Sequence, residues 1–331
     1  MKKIAIIGSG SWGVALAIHL AKMGNTIKIW SFEEEEARII NEEKRCKFLS
    51  QVEKIPENIE CKTSYKEVIE GADFILQVTP SKFTRNIVKD YKQYVDAQNQ
   101  PIVICSKGIE NETGKTLDEV IKEVIPEARV GALSGPSHAE EVSLGVPTVL
   151  VIASNDDGVK KLIQDTFMNE GMRIYTSNDI KGVEIGGALK NIIAFCVGIA
   201  AGIGFGDNTF AALITRGLAE IRKLGMALGG EKETFYGLSG LGDLIVTALS
   251  EHSRNRRAGF LIGQGKSLEE AKKEIGMVIE SIDNIEVAKK LSDKLNLELP
   301  ILNTVYDILY NNLEPQKAVE ILMTREKKQE D

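Results

Sequence analysis

The chain has 331 residues, 43% hydrophobic and 27% charged, which is long for one typical domain and apolar enough to pack two. A net charge of −7 argues against nucleic acid as a main partner, because phosphate backbones select basic surfaces. Cys46, Cys61, Cys105 and Cys196 show no C-x-x-C pair and no metal spacing, so reduced thiols in a cytoplasmic protein without a metal site are expected.

Lys2 and Lys3 precede an apolar run that glycine soon breaks, so no signal peptide is expected. That run, Ile4–Ile7, reads as a buried strand and passes straight into Gly8-Ser9-Gly10-Ser11-Trp12-Gly13. An apolar-periodic helix from Val14 to Leu20, a Gly24-Asn25 turn and a second strand, Thr26–Trp30, complete the βαβ unit that a dinucleotide-binding turn requires. Gly8 permits the tight bend, Gly10 lets the backbone approach a pyrophosphate, and Gly13 lets helix and strand pack closely. The helix start offers free N–H groups and a partial positive charge to the phosphates.

The extra phosphate of NADP needs a basic or hydrogen-bonding partner near the end of the second strand. Here Ser31-Phe32 leads into Glu33–Glu36, which opens a helix, and no arginine appears before Arg38. NAD(H) is therefore favoured, while the Ser31 hydroxyl leaves NADP(H) usable and Phe32 is placed to cover the adenine face.

Further short apolar runs follow at Phe74–Val78, Ile102–Cys105, Val130–Leu133 and Thr148–Ala153, with helical segments such as Tyr65–Glu70 and Thr116–Val124 between most of them. This alternation predicts a largely parallel, doubly wound sheet whose ligands bind beyond the carboxyl ends of the strands. From about Gly182 the pattern becomes helical: Val183–Ile203, Phe210–Leu228, Leu268–Ile275, Ile282–Leu295, Ile301–Asn311 and Pro315–Leu322. The fold expected is α/β, with a Rossmann-type domain over 1–181 and an all-α domain over 182–331. The run Ile192–Phe205, at 14 residues with three glycines, reads as a buried helix and not a membrane span. The tail Arg325–Asp331 is expected to fray.

A nicotinamide enzyme acting on an alcohol needs a base for the hydroxyl proton and an anchor for the rest of the substrate. Lys190, in the apolar and glycine-lined segment Glu184–Asn191, is a candidate base if buried, since burial lowers an amine's pKa; the alternative is a lysine that snorkels to the surface. Lys107, just beyond a strand end, carries the same ambiguity. Asp243 closes Gly237-Leu238-Ser239-Gly240-Leu241-Gly242-Asp243 and reads first as a helix N-cap. Ser253-Arg254-Asn255-Arg256-Arg257 forms either a phosphate clamp or a solvated basic face. No carboxylate stands at a telling spacing from His138 or His252.

Taken together, these segments resemble the bacterial type of NAD(P)-dependent glycerol-3-phosphate dehydrogenase nearly end to end. Matching stretches also include Ser106-Lys107-Gly108-Ile109-Glu110, Leu133-Ser134-Gly135-Pro136-Ser137-His138-Ala139-Glu140-Glu141-Val142 and Gly276-Met277-Val278-Ile279-Glu280. The resemblance implies Lys190 as proton acceptor. It implies substrate contacts at Lys107, Gly135, Ser137, Lys190, Asp243, Ser253, Arg254 and Asn255. It also implies a cofactor site lined by Ser11, Trp12, Lys107, Ala139, Arg254, Val278 and Glu280. The implied reaction interconverts dihydroxyacetone phosphate and sn-glycerol 3-phosphate for phospholipid synthesis, and a homodimer is compatible with it.

Two departures stand out: His138 replaces the family's usual phenylalanine, and Ser31-Phe32-Glu33-Glu34 replaces an arginine-bearing segment. The rival readings are another two-domain dehydrogenase, of the β-hydroxyacid or ketopantoate type, and a non-catalytic dinucleotide sensor.

Overall fold

In the computed structural model, which describes residues 1–327, 329 and 330, eight strands form one sheet. They are β1 (Lys3–Ile7), β2 (Thr26–Trp30), β3 (Ile59–Lys62), β4 (Phe74–Gln77), β5 (Ile102–Ile104), β6 (Val130–Ser134), β7 (Thr148–Ala153) and β8 (Met172–Ser177). Their spatial order is β3-β2-β1-β4-β5-β6-β7-β8. All neighbours run parallel except β6 and β7, which pair antiparallel with Leu133 opposite Ile152.

The connecting helices are α1 (Ser11–Lys22), α2 (Glu34–Arg38), α3 (Tyr65–Ile69), α4 (Thr84–Tyr91), α5 (Leu117–Val124), α6 (Ala139–Leu144) and α7 (Asp157–Phe167). Apolar clusters cover both sheet faces, one including Ile4, Leu16 and Phe167, the other Ile7, Tyr91 and Ile121. That two-sided burial is why the central strands read as continuous apolar runs. The strand order reverses between β1 and β4, and the glycine turn opens into the crevice there.

The remainder is helical: α8 (Ile180–Ile203), α9 (Asp207–Ala227), α10 (Asp243–Leu249), α11 (Arg254–Gly263), α12 (Leu268–Ile275), α13 (Glu280–Lys294), α14 (Pro300–Tyr310) and α15 (Pro315–Met323). The Asp179 side chain caps α8 by accepting from Gly182 N–H. The core of this half gathers around α8, whose residues 182–200 are all buried.

One expectation needs correcting. The run Ile192–Phe205 is a helix over residues 192–203, buried as far as Ala200, as expected, but the length argument fails, because those residues belong to the 24-residue α8, long and apolar enough to cross a membrane by length and composition. What marks it as a core helix is its packing, because 89% of its most apolar window lies inside the protein. Glycines on α8 and α11 make the closest contact. A Cβ on Gly198 would lie 2.0 Å from the Arg256 carbonyl oxygen, and one on Gly259 would lie 2.0 Å from that of Phe195. Of the tail expected to fray, Lys328 and Asp331 lie outside the described residues.

Candidate active site

The glycine turn has the geometry its spacing predicts. Gly8 holds φ at +127°, and Gly13 sits so close that a Cβ would come within 2.1 Å of the Gly8 carbonyl oxygen. A Cβ on Gly10 meets nothing within 4 Å, so that side of the turn opens onto free space. Gly10 is the N-cap of α1, which leaves the amides of Ser11 and Trp12 at the mouth of the turn. Trp12 Nε1 is buried with no hydrogen-bond partner among the described residues. Open space bordered by unsatisfied donors fits an anionic dinucleotide. Phe32 stands 81% exposed past the end of β2, edge-on to Trp30.

Across the crevice, the site is organised around one carboxylate. Asp243 is not an N-cap: Gly242 holds that position, and Asp243 turns inward as the first residue of α10. Its Oδ1 accepts from Lys190 Nζ at 2.9 Å and its Oδ2 from Lys107 Nζ at 2.6 Å. Lys190 does not snorkel; it is 5% exposed and also donates to Thr247 Oγ1 at 2.5 Å. Thr247 Oγ1 in turn donates to Asp243 Oδ1 at 3.2 Å. Lys107 has two further acceptors, the Gly135 carbonyl at 3.0 Å and Ser137 Oγ at 3.5 Å.

The electrostatics follow from burial. Burial pushes the Lys190 amine down to about 8, helped by the Lys107 ammonium and opposed by Asp243. Burial also pushes the Asp243 carboxyl upward, but Lys107 and Lys190 outweigh it and hold the group below the usual carboxylate range. Two ammonium groups therefore share one carboxylate in a water-poor pocket.

The other expected residues surround this cluster or the crevice. Ser253 caps α11, accepting from Arg256 N–H, and so places Arg254 and Asn255 in its first turn. Asn255 donates to Asn191 Oδ1 at 2.9 Å and accepts from Ser281 N–H at 3.0 Å. Arg254 donates through Nη1 to the Val278 carbonyl at 3.2 Å. The full arginine clamp does not assemble, because Arg257 pairs with Glu274 on α12. Glu280 opens α13 and accepts from Ser81 Oγ at 2.7 Å, which ties it to the loop after β4. Ala139 is buried at the start of α6.

Sequence reasoning missed Ser81; its place just after a strand end was the available signal. Thr247 lies one turn along α10 from Asp243, the spacing at which both face Lys190. His138 lies at the N-cap of α6 with Nε2 3.4 Å from the Val246 carbonyl and its ring edge-on to His252. Burial, with smaller contributions from the Lys190 and Lys107 charges, holds its pKa below the ordinary histidine value.

Among the described residues no group of three or more His, Cys, Asp or Glu side chains is placed to hold a metal. The sequence matches two family models, the NAD-dependent glycerol-3-phosphate dehydrogenase N-terminus over residues 3–160 and C-terminus over residues 179–320. It is 48% identical to glycerol-3-phosphate dehydrogenase [NAD(P)+] of Fusobacterium nucleatum over 334 residues, covering all of this chain and 99% of that one. It is also 48% identical to the enzyme of the same name from a Thermoanaerobacter species, over 99% of this chain and 98% of that one. The crystal structure of glycerol-3-phosphate dehydrogenase from Coxiella burnetii superposes with a TM-score of 0.94 at 36% identity, covering 98% and 99% of the two chains. With both halves matched in order and relatives aligned end to end, the chain belongs to the NAD-dependent glycerol-3-phosphate dehydrogenase family.

Proposed function

We infer that this protein interconverts dihydroxyacetone phosphate and sn-glycerol 3-phosphate, with Lys190 moving the proton. Bound along the glycine turn, NAD(H) supplies or accepts the hydride. The observation that carries the assignment is a count of donors. An ammonium has three N–H bonds. Lys107 has three acceptors, in Asp243, Gly135 and Ser137, whereas Lys190 has two, in Asp243 and Thr247. Lys190 thus keeps one N–H for a substrate oxygen.

In reduction, protonated Lys190 hydrogen-bonds the C2 carbonyl oxygen, stabilises the developing alkoxide and gives up a proton. In oxidation, the neutral amine takes the proton of the C2 hydroxyl. Asp243 and Thr247 fix the amine, and Lys107 with Gly135 and Ser137 forms the adjoining wall. Arg254, with Asn255 at the α11 N-terminus, anchors the phosphate, whose binding energy positions the reacting carbon. Gly8, Gly10, Ser11, Trp12, Gly13 and Phe32 would hold the cofactor on one side. Lys107, Ala139, Arg254, Val278 and Glu280 line the other.

We place the domain division between residues 181 and 182, in the first turn of α8 and a few residues after β8 ends at Ser177. A cytoplasmic location, a role in phospholipid synthesis and a homodimer complete the reading; buried free thiols at Cys46, Cys61, Cys105 and Cys196 suit the first of these.

The test is NADH oxidation with dihydroxyacetone phosphate, run beside ketopantoate and tartronate semialdehyde. Turnover with the phosphate ester alone supports the assignment. Turnover only with the two carboxylates transfers the chain to the rival dehydrogenases, and NADH binding without turnover of any of the three makes it a sensor.

A further inference from the structure

The four glutamates after β2 do not behave alike. Glu33, Glu34 and Glu35 are exposed, and Glu35 is engaged by Arg38, which also holds Glu42 and Glu43. Glu36 alone turns back toward the sheet. Its Oε2 accepts from Ser9 Oγ at 2.6 Å, and Ser31 Oγ lies 3.4 Å from the same oxygen. Ser9 and Ser31 also bond to each other at 2.9 Å, and both are buried. The second oxygen, Oε1, pairs with Lys47 Nζ at 2.5 Å.

Ser9 lies inside the glycine turn after β1, and Ser31 is the first residue beyond β2. A carboxylate bridging those two strand ends stands where a Rossmann-type domain meets the adenosine ribose, a place usually taken by an acid at the end of the second strand. In this chain that strand-end position is Ser31, and the acid arrives one helical turn later.

We propose that Glu36, held by Ser9, Ser31 and Lys47, is the residue that reads the adenosine ribose and sets the preference for NAD(H) over NADP(H). The proposal rests on the assignment of the glycine turn as the dinucleotide site. A ribose hydroxyl can donate to Glu36 in place of Ser9, whereas a 2′-phosphate would set two anionic groups against each other. Lys47 tempers this discrimination by neutralising part of the carboxylate's charge. It is also the cation that a 2′-phosphate would gain if Glu36 were neutral.

The test is direct titration of the purified protein with NADH and with NADPH, followed by nicotinamide fluorescence without substrate. Glu36→Gln should weaken NADH about tenfold and tighten NADPH about tenfold, each the scale of one charge-assisted hydrogen bond. Lys47→Met, at a half-exposed position, should move the ratio the other way, weakening NADPH about tenfold. Glu33, Glu34 and Glu35 changed together to Gln should move it less than about threefold, because exposed charges are screened. A ratio unchanged by Glu36→Gln, a triple variant that shifts it equally, or tighter NADPH binding by Lys47→Met would each overturn the proposal. Wild type that binds neither nucleotide would instead overturn the assignment of the turn.

Discussion

Lys190 and Lys107 offer the same ammonium to the same carboxylate, yet only Lys190 has an N–H to spare. Lys190→Met should therefore keep NADH binding while turnover falls by about two or more orders of magnitude, the usual scale for a general acid–base group. Stopped-flow turnover beside fluorescence titration separates the two effects, and near wild-type turnover would remove Lys190 from the chemistry. Its pKa of about 8 fixes the sign of the pH profile. In kcat/KM, oxidation should rise with pH through about 8 as the amine deprotonates, and reduction should fall over the same interval. Asp243→Asn removes the influence that raises the Lys190 pKa, so both limbs should shift toward lower pH. The same change leaves the buried Lys190 and the partly buried Lys107 without their carboxylate and should cost about 3–5 kcal/mol in urea unfolding. A shift toward higher pH would contradict this account of the cluster.

At the scale of elements, glycines bring the backbones of α8 and α11 into direct contact. Gly198→Ala would drive a methyl to within 2.0 Å of a backbone carbonyl oxygen, and no side-chain rotation relieves that contact. The helices must separate, at a cost of about 3 kcal/mol or more. The urea midpoint should fall with little change in slope; an unchanged midpoint would mean that the seam is looser than drawn.

This seam also marks where the sequence stops being legible. Its glycines announced a buried helix but not their partners, which lie in another helix and share no local pattern. The strands divide in a similar way. The central ones are covered on both faces and show as apolar runs, whereas β3 and β8 went unread. Both are edge strands of the sheet, with alternating buried and exposed residues such as Met172, Arg173 and Ile174. Half-exposed edges carry too weak a signal for a search keyed on continuous apolar runs. The dinucleotide turn was legible because strand, glycines and helix are contiguous. The Lys190–Asp243 pair was legible only through the family resemblance and in no local pattern, since its members are 53 residues apart and meet because α10 lies on α8.

Across the whole molecule, two carboxylates, one buried and one partly buried, tie the long helices to the starts of others. Glu184 on α8 accepts from the Leu117 and Asp118 amides of α5, and Glu220 on α9 from the Ile301 and Leu302 amides of α14. Burial raises both groups, Glu184 well above its ordinary value with Asp118 adding to it, and Glu220 to about 7. An acid whose folded pKa is raised stabilises the fold in its protonated form and loses that contribution as pH rises. For Glu220 the loss should run from about pH 4.5 to about pH 7 and amount to roughly 3 kcal/mol. Glu220→Gln should flatten the fall of Tm across this window. An unflattened slope would show that the two amide hydrogen bonds keep Glu220 ionised despite its burial.

The central place of α8 has a consequence for biosynthesis. Its last residue is 203, but α11, which fills its glycine face, ends at residue 263, and α13 ends at residue 294. At ~5–20 residues per second, translation leaves α8 without α11 for on the order of ten seconds. During that interval the nascent chain displays a helix whose most apolar 18-residue window has a mean hydropathy of 1.6, with β6 and α5 made but α11 still missing from its glycine face. By length and composition alone, that helix matches a membrane-spanning segment until it is covered. The helices that follow, α11 above all, withdraw that surface, so the glycines that seat α11 on α8 also end its exposure.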